Sequence, residues 1–170
     1  SSINKNVVVD LPIIGETKTT LEDMIQFLAE HNYAQQADER SQWLNQIAEW
    51  RKKVPLTYSQ NGQSIKPQHV IETLYKVTKG NVIITTEVGQ NQMWTAQFFP
   101  FDKPNTLITS GGLGTMGYGL PAAIGVKCAF PDKHVVDIAG DGSIQMNIQE
   151  LATAAQYKIN VKIVLLNNSY

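Results

Sequence analysis

The sequence predicts an α/β fold in which helices cover both faces of a parallel sheet. Two observations support this prediction. From residue 66 onward, stretches with helical periodicity alternate with short runs that are apolar and β-branched along most of their length, which is typical of strands buried on both faces. Ten of the twelve glycines also fall in residues 66–170, so we expect the turns and ligand-binding loops there.

The first 65 residues have a different character. Residues 6–14 predict a short buried strand that Pro12 interrupts. The run from Thr19 to Glu22 then marks the start of a helix that ends near Ala29.

A second amphipathic helix is predicted over residues 38–52. It carries Trp43, Ile47 and Trp50 on one face, and we expect these side chains to pack in a core or between domains, since an apolar stripe at helical spacing is usually buried. The polar residues 58–64 follow as a linker. The predicted domains are therefore residues 1–65 and residues 66–170.

The elements of the second domain follow in order. A helix begins at Pro67, which suits a first helical turn, and Gly80 ends it. The remaining predictions are a strand at 82–86, a helix at 92–98, a short apolar segment at 107–108, a helix at 121–130, a strand at 135–139, a helix at 144–157 and a strand at 161–166.

The strongest functional signal lies at the ends of the last two strands. The motif GDGS at residues 140–143 follows one strand, and Asn167 and Asn168 follow the next. A right-handed crossover places these strands side by side, so Asp141 and Asn168 should meet at the carboxyl edge of the sheet, where α/β folds bind ligands. Their oxygens suit Mg²⁺, which shares its coordination shell with phosphates of a ligand.

The other two residues of the motif favour phosphate. Gly142 has no side chain to hold a phosphate away from the backbone, and Ser143 is expected at or near the N-cap of the following helix, whose free N–H groups attract anions. Taken singly, GDGS could be only a turn with a cap, and the asparagine pair only a turn. Their occurrence together at the spacing of a βαβ unit favours a binding site.

A competing motif precedes this one. Residues 112–117 match the pattern GxGxxG, and Asp137 lies twenty positions after Gly117, an arrangement that would suggest binding of NAD. However, Asp137 lies inside an apolar run instead of closing a strand, and the segment before Gly111 is a poor strand. We therefore keep a dinucleotide-binding domain only as an alternative.

Composition excludes several other classes. The net charge is −1, with 14 Lys plus Arg against 15 Asp plus Glu, so no clustered positive charge indicates a nucleic-acid partner. The single cysteine, Cys128, cannot form an intrachain disulfide, and no apolar run approaches the roughly 18 residues of a membrane span. We expect a protein of the reducing cytoplasm that binds neither membranes nor nucleic acids.

Together these motifs resemble a known family. GDGS followed by an asparagine pair is the pattern of thiamine-diphosphate enzymes. The segments VGQNQMWTAQ at residues 88–97 and TSGGLGTMGYGLP at residues 109–121 are similar to the catalytic large subunits of acetolactate synthases. The resemblance covers essentially the whole chain. It implies that residues 66–170 are the first part of the diphosphate-binding domain, and that residues 1–65 are the end of a middle domain with a connecting helix.

The resemblance assigns roles to individual residues, with thiamine diphosphate and Mg²⁺ as the cofactors. It implies that the metal is held by Asp141, Asn168 and the backbone carbonyl of Tyr170. It further implies that Met116 supports the bent form of the cofactor, while the carbonyl of Gly114 accepts a hydrogen bond from its aminopyrimidine. The full set of implied cofactor-binding residues is Val88, Gly89, Gln90, Asn91, Gly114, Met116, Gly140, Asp141, Gly142, Ser143 and Asn168.

The resemblance also implies an activity, partners and some departures. The whole enzyme would decarboxylate pyruvate and join the two-carbon unit to a second 2-keto acid for branched-chain amino acid synthesis, as a homodimer or larger assembly with a possible regulatory subunit. Another carboligase or decarboxylase, such as one acting on glyoxylate, is the alternative. Asn91 stands where the family usually has His. The activating glutamate, which is not Glu87, lies in another domain, and the sequence stops at Tyr170, so we expect this chain alone to be inactive.

Overall fold

The computed structural model describes residues 3–31, 37–62 and 64–168. The chain divides into two compact units, Ser1–Pro55 and Leu56–Tyr170, and each is described by itself. The boundary between the two units lies ten residues before the boundary predicted after residue 65.

The first unit contains two helices, α1 (Thr17–Glu30) and α2 (Ala37–Lys53). α1 starts two residues before the predicted Thr19, because the carbonyl of Glu16 already accepts a hydrogen bond from the N–H of Thr20. In α2, the rings of Trp43 and Trp50 meet edge to face at 5.4 Å. They share a helix face as expected, but both side chains are about half exposed within the described residues.

The predicted strand at residues 6–14 is wrong. This segment consists of bends and irregular backbone, and Val7 and Val8 are 73% and 82% exposed. A strand needs a neighbour to pair with its backbone N–H and C=O groups, and the described part of this unit offers none. Instead, the N–H of Val9 donates to the side-chain oxygen of Asn4.

The second unit is a four-stranded parallel sheet with helices on both faces, which confirms the predicted fold class. The strand order is β2-β1-β3-β4. The elements in chain order are α3 (Pro67–Thr78), β1 (Ile83–Thr86), α4 (Gln90–Phe98), β2 (Leu107–Thr109), α5 (Gly119–Ala129), β3 (Val135–Gly140), α6 (Asp141–Gln145), α7 (Glu150–Gln156) and β4 (Lys162–Leu166).

The two faces of the sheet bury different cores. On one face Ile84, Val136 and Ile138 pack with Ile71 of α3 and with the aromatic residues around Phe99. On the other face Ala139 packs with side chains of α5, α6 and α7, namely Leu120, Ile124, Ile144 and Ala154. Because successive residues of a strand point to opposite faces, β3 must be apolar at nearly every position. This explains why the strand is apolar in the sequence apart from Asp137.

The predicted helix at residues 144–157 is wrong in its start and its continuity. Helix α6 begins at Asp141, and the turns of residues 146–149 separate it from α7. Here backbone N–H groups bond three residues back instead of four, as Met146 does to Ser143. The side chain of Asn147 donates to the carbonyl of Gly117 at 2.7 Å, so a contact with a distant loop accompanies the interruption.

The segment before Gly111 forms a strand, although its sequence is a poor match to one. Residues 107–109 form β2, a short strand at the edge of the sheet that pairs with β1. Three residues are too few to show a clear periodic pattern, and the segment becomes a strand because it pairs with β1.

Candidate functional site

A cavity of about 240 Å³ opens at the carboxyl ends of the strands. The chain leaves β1 toward β2 on one side and later returns to β3 on the other, so the crevice between β1 and β3 is the point at which parallel α/β folds bind ligands. The residues lining the cavity are Val88, Gly89, Gln90, Asn91, Trp94, Met116, Gly140, Asp141, Gly142, Ser143, Leu166 and Asn168.

The first wall is the turn from β1 into α4. Gly89 has φ of +151°, a value that residues with a side chain rarely adopt, and a Cβ atom there would lie 2.9 Å from Oδ1 of Asn91. Asn91 is 3% exposed. α4 begins at Gln90, beside the cavity, and the first N–H groups of a helix have no partner within it. This wall therefore presents backbone donors suited to an anion.

The second wall follows β3 and β4. Gly140 pairs with Leu166 in the sheet register, so Asp141 and Asn168 each lie just beyond the same pair of strand ends. Both residues line the cavity, as the crossover argument required. At Gly142 the nearest atom to an added Cβ would be the terminal carbon of Met116 at 4.0 Å, so the space beside this backbone is open to a ligand.

The third wall is the loop between β2 and α5. Its Met116 lines the cavity and is 42% exposed. Gly117, with φ of +81°, holds the loop against the turn after α6, where a Cβ atom would meet that of Met146 at 2.7 Å. Gly114 differs from the other predicted residues because it does not line the cavity; its N–H is bonded to the carbonyl of Ser110.

Ser143 lies near the N-terminus of α6, as expected, but its hydroxyl does not cap the helix. It is the third residue of α6, whose N-cap is Gly140, and it provides no side-chain cap. Its hydroxyl instead donates to Oε2 of Glu87 at 2.6 Å. Although Ser143 lines the cavity, it is 3% exposed, and its hydroxyl proton is directed into the protein.

A second buried carboxyl lies behind the same walls. Asp137 is fully buried and accepts a hydrogen bond from the hydroxyl of Thr85 at 3.0 Å. The pKa of Asp137 is raised to about 7: burial raises it most, the hydrogen bond from Thr85 lowers it, and the nearby Glu87 raises it further. A carboxyl in this position cannot reach the ribose of a dinucleotide, and β1 separates β3 from β2. The arrangement excludes the NAD interpretation of the glycine motif.

Two lining residues were not predicted, Trp94 and Leu166. Trp94 lies one helical turn after Gln90 on α4, so the helical period places it on the same side as the start of the helix. Leu166 is the last residue of β4, directly before the asparagine pair. Tyr170, predicted to supply a metal-ligating carbonyl, lies outside the described residues.

The donor set of the cavity suits a metal that binds together with a phosphorylated ligand. Within the described residues no group of three or more His, Cys, Asp and Glu side chains could hold a metal ion. One carboxylate, that of Asp141, lines the cavity together with three residues that carry side-chain amides, Gln90, Asn91 and Asn168. Hard oxygen donors in small number favour Mg²⁺, which completes its shell with waters and phosphate oxygens.

Comparison with known proteins identifies the ligand class. Residues 87–170 match the family model described as thiamine pyrophosphate enzyme, C-terminal TPP binding domain, and this match contains every predicted cofactor residue. The chain belongs to the thiamine pyrophosphate enzymes. Thiamine pyrophosphate is the same compound as thiamine diphosphate, so the comparison confirms the predicted cofactor.

Similarity to thiamine pyrophosphate enzymes extends over the whole chain. The acetolactate synthase isozyme 3 large subunit of Escherichia coli is 52% identical over 170 residues, which are all of this chain and 30% of that protein. The acetolactate synthase large subunit of Haemophilus influenzae is 49% identical with the same coverage. Acetolactate synthase 3, chloroplastic, of Brassica napus is 44% identical over all of this chain and 26% of its own length. The chain thus spans about a third or less of these relatives.

The cavity fits part of this cofactor. Its 240 Å³ is somewhat less than the roughly 300–1,000 Å³ of a site for a whole drug-sized ligand, which suits a site that holds the diphosphate end. The open backbone at Gly142 and the oxygen donors of Asp141 and Asn168 match a diphosphate with its metal.

Within the part of the chain that the structure describes, no helix is both long and apolar enough to cross a membrane.

Proposed function

We propose that this chain forms the diphosphate- and magnesium-binding part of an acetolactate synthase catalytic subunit. The observation that carries the proposal is the cavity between β1 and β3, which brings together all of the predicted cofactor residues that the structure describes except Gly114. The names of the relatives support the activity. The reaction of the whole protein would be decarboxylation of pyruvate followed by condensation with a second 2-keto acid.

Each wall of the cavity binds a different part of the ligand. Asp141 and Asn168 would hold Mg²⁺, which would supply positive charge to balance that of the diphosphate. The N–H groups at the start of α4 and the open backbone at Gly142 take the phosphate oxygens. Met116, whose terminal carbon lies near Gly142, supports the apolar body of the cofactor.

The residues around the phosphates bind and orient the cofactor and take no direct part in the reaction. When bound, thiamine diphosphate supplies a carbon nucleophile that attacks the keto carbon and holds the electron pair left by decarboxylation. This chain orients that group by fixing its diphosphate end, and the side chains of Trp94 and Leu166 help to keep water out of the cavity. Orientation of this kind accounts for a large share of many enzymatic rate enhancements.

The proposal extends to assembly and compartment. The relatives from Escherichia coli and Haemophilus influenzae are named large subunits, which supports a smaller regulatory partner for the protein to which this chain belongs. We propose a homodimer or larger assembly of the catalytic subunit. We also propose a cytoplasmic location, as the single cysteine led us to expect, while the Brassica relative is named chloroplastic.

Calorimetry tests the binding proposal directly. The 170-residue chain is titrated with thiamine diphosphate in the presence and absence of Mg²⁺, and with NAD in parallel. We expect binding of thiamine diphosphate that requires the metal, no binding of NAD, and loss of metal-dependent binding in Asp141→Ala. Asp132→Ala removes an exposed carboxylate elsewhere on the same unit and should bind as the wild type does. Binding of thiamine diphosphate that occurs without Mg²⁺ and is unchanged in Asp141→Ala would contradict the proposal.

The substrate is tested on the intact catalytic subunit to which this chain belongs. Pyruvate and glyoxylate are supplied separately, and the condensation products are identified by mass spectrometry. Acetolactate from pyruvate supports the proposed activity. A product formed from glyoxylate alone would assign the subunit to the alternative carboligase class.

A further inference from the structure

Glu87 is a buried carboxylate that lies directly behind the cavity. It is the first residue after β1, and none of its surface is exposed. Oε2 of Glu87 accepts hydrogen bonds from the N–H of Gly117 at 2.8 Å and the hydroxyl of Ser143 at 2.6 Å, and Oε1 accepts one from the N–H of Leu120 at 3.0 Å. Because it does not line the cavity, Glu87 has no contact of its own with a ligand there.

The hydroxyl of Ser143 extends this network. Its oxygen accepts bonds from the N–H of Val88 at 3.3 Å and the N–H of Gly117 at 3.2 Å. Val88 belongs to the first wall of the cavity, Ser143 to the second, and Gly117 adjoins Met116 of the third. Two side chains, Glu87 and Ser143, therefore join all three walls, which come from segments 26 to 56 residues apart in sequence.

We propose that Glu87 is a positioning residue for the cofactor site. Its hydrogen bonds, together with those of Ser143, hold the three walls of the cavity at fixed distances from one another. This inference rests on the proposed function. Hydrogen bonds to a charged acceptor are stronger than those between neutral groups, and a buried N–H that loses its acceptor has no water to replace it. Without the carboxylate, the Met116 loop and the GDGS turn would lose their shared acceptor and keep only the 3.2 Å bond between the N–H of Gly117 and the hydroxyl of Ser143.

A purely structural role is the competing explanation, since Glu87 also binds the first turn of α5. The two explanations differ in what a substitution changes. A structural residue affects the free energy of unfolding, whereas a positioning residue affects the Kd of the ligand beyond what the loss of stability explains. Thr85 offers a matched comparison, because it is equally buried, lies two residues earlier in β1, and bonds to Asp137 instead of to a cavity wall.

The test compares Glu87→Gln with Thr85→Val in the 170-residue chain. We expect Glu87→Gln to raise the Kd of thiamine diphosphate, measured by calorimetry with Mg²⁺, by about tenfold or more, because Gln keeps only one acceptor oxygen and brings an N–H₂ group toward backbone donors. Thr85→Val should lower the unfolding midpoint but leave the Kd within about twofold of the wild type. A Kd unchanged in Glu87→Gln, or raised equally in both variants, would overturn the inference.

Amide hydrogen exchange provides a readout that needs no cofactor. In Glu87→Gln the amides of Gly117 and Leu120 should exchange at least about tenfold faster than in the wild type, and in Thr85→Val they should not. If Glu87→Gln does not fold, Ser143→Ala tests the network through the amide of Val88, whose N–H donates to the hydroxyl of Ser143, and unchanged exchange there would refute the network. Absence of thiamine diphosphate binding by the wild type would instead count against the proposed function.

Discussion

The side-chain nitrogen of Asn91 lies 2.8 Å from the carbonyl oxygen of Ile138 and so ties the first turn of α4 to β3. The same nitrogen donates to the carbonyl of Glu87, which follows β1, at 2.9 Å. The two bonds span the crevice between β1 and β3 at the base of the cavity. An amide can make both because its NH₂ group carries two donors, whereas a neutral imidazole, which the family resemblance implies is usual at this position, carries one.

Replacing Asn91 should therefore destabilise the second unit. We expect Asn91→Ala to lower the free energy of unfolding by about 2 kcal/mol, since it removes two buried hydrogen bonds. The carbonyl of Ile138 keeps a bond from the N–H of Glu87, which limits the loss. Urea denaturation measures the change. Gln97→Ala, an exposed amide on the same helix, should change stability by less than about 0.5 kcal/mol, and equal midpoints for the two variants would contradict the role of Asn91.

Gly119 is needed because the start of α5 lies directly against the sheet. A Cβ atom at Gly119 would lie 2.6 Å from the backbone nitrogen of Glu87 and 2.7 Å from the carbonyl carbon of Thr86. We expect Gly119→Ala to cost about 3 kcal/mol of stability, because backbone cannot move aside as a flexible side chain can. The matched control is Gly125→Ala on the same helix, where no atom lies within 4 Å of the added carbon. It should stabilise the protein by up to about 1 kcal/mol, and a similar loss in both variants would refute the close approach.

The buried carboxyl of Asp137 should make stability depend on pH. Its folded pKa of about 7 is above the value of 3.8 expected for an unfolded chain, so between these pH values the folded state binds more protons than the unfolded state. The free energy of unfolding should then fall as pH rises from about 4 to about 7, by up to roughly 4 kcal/mol from this group. Asp137→Asn should flatten that slope, as measured by urea denaturation at pH 5 and pH 8. The exposed carboxyl of Asp132 is the control, and a slope that survives in Asp137→Asn would show that Asp137 is not its source.

Trp94 should report on ligand binding by fluorescence. The sequence contains three tryptophans, and Trp43 and Trp50 lie in the first unit, so a variant with Trp43→Phe and Trp50→Phe isolates the emission of Trp94. Because Trp94 lines the cavity, we expect its emission intensity or maximum to change when thiamine diphosphate and Mg²⁺ are added. Asp141→Ala in the same background should abolish the change. A signal that persists without the metal would place the ligand elsewhere.

Periodicity predicted the second unit well because its strands are buried on both faces. The β3 segment is apolar at nearly every position, so a local pattern was enough to assign it. The errors fall where a distant contact overrides local preference. Residues 6–14 are apolar enough for a strand but have no partner among the described residues, and Leu107–Thr109 is too short to be assigned with certainty and yet pairs with β1. The break before α7 accompanies a bond from Asn147 to a loop thirty residues earlier.

The sequence by itself determined the fold class, the thiamine pyrophosphate family and most of the residues that meet at the cavity. The family came from the resemblance of its motifs, whereas chemical type and the order of parallel strands together place Asp141 and Asn168 at one edge of the sheet. Only the tertiary structure decided which polar groups face the cavity and which face inward. The hydroxyl of Ser143 donates to Glu87 instead of pointing at a ligand, and this follows from burial, since a charged acceptor without water must take every donor within reach.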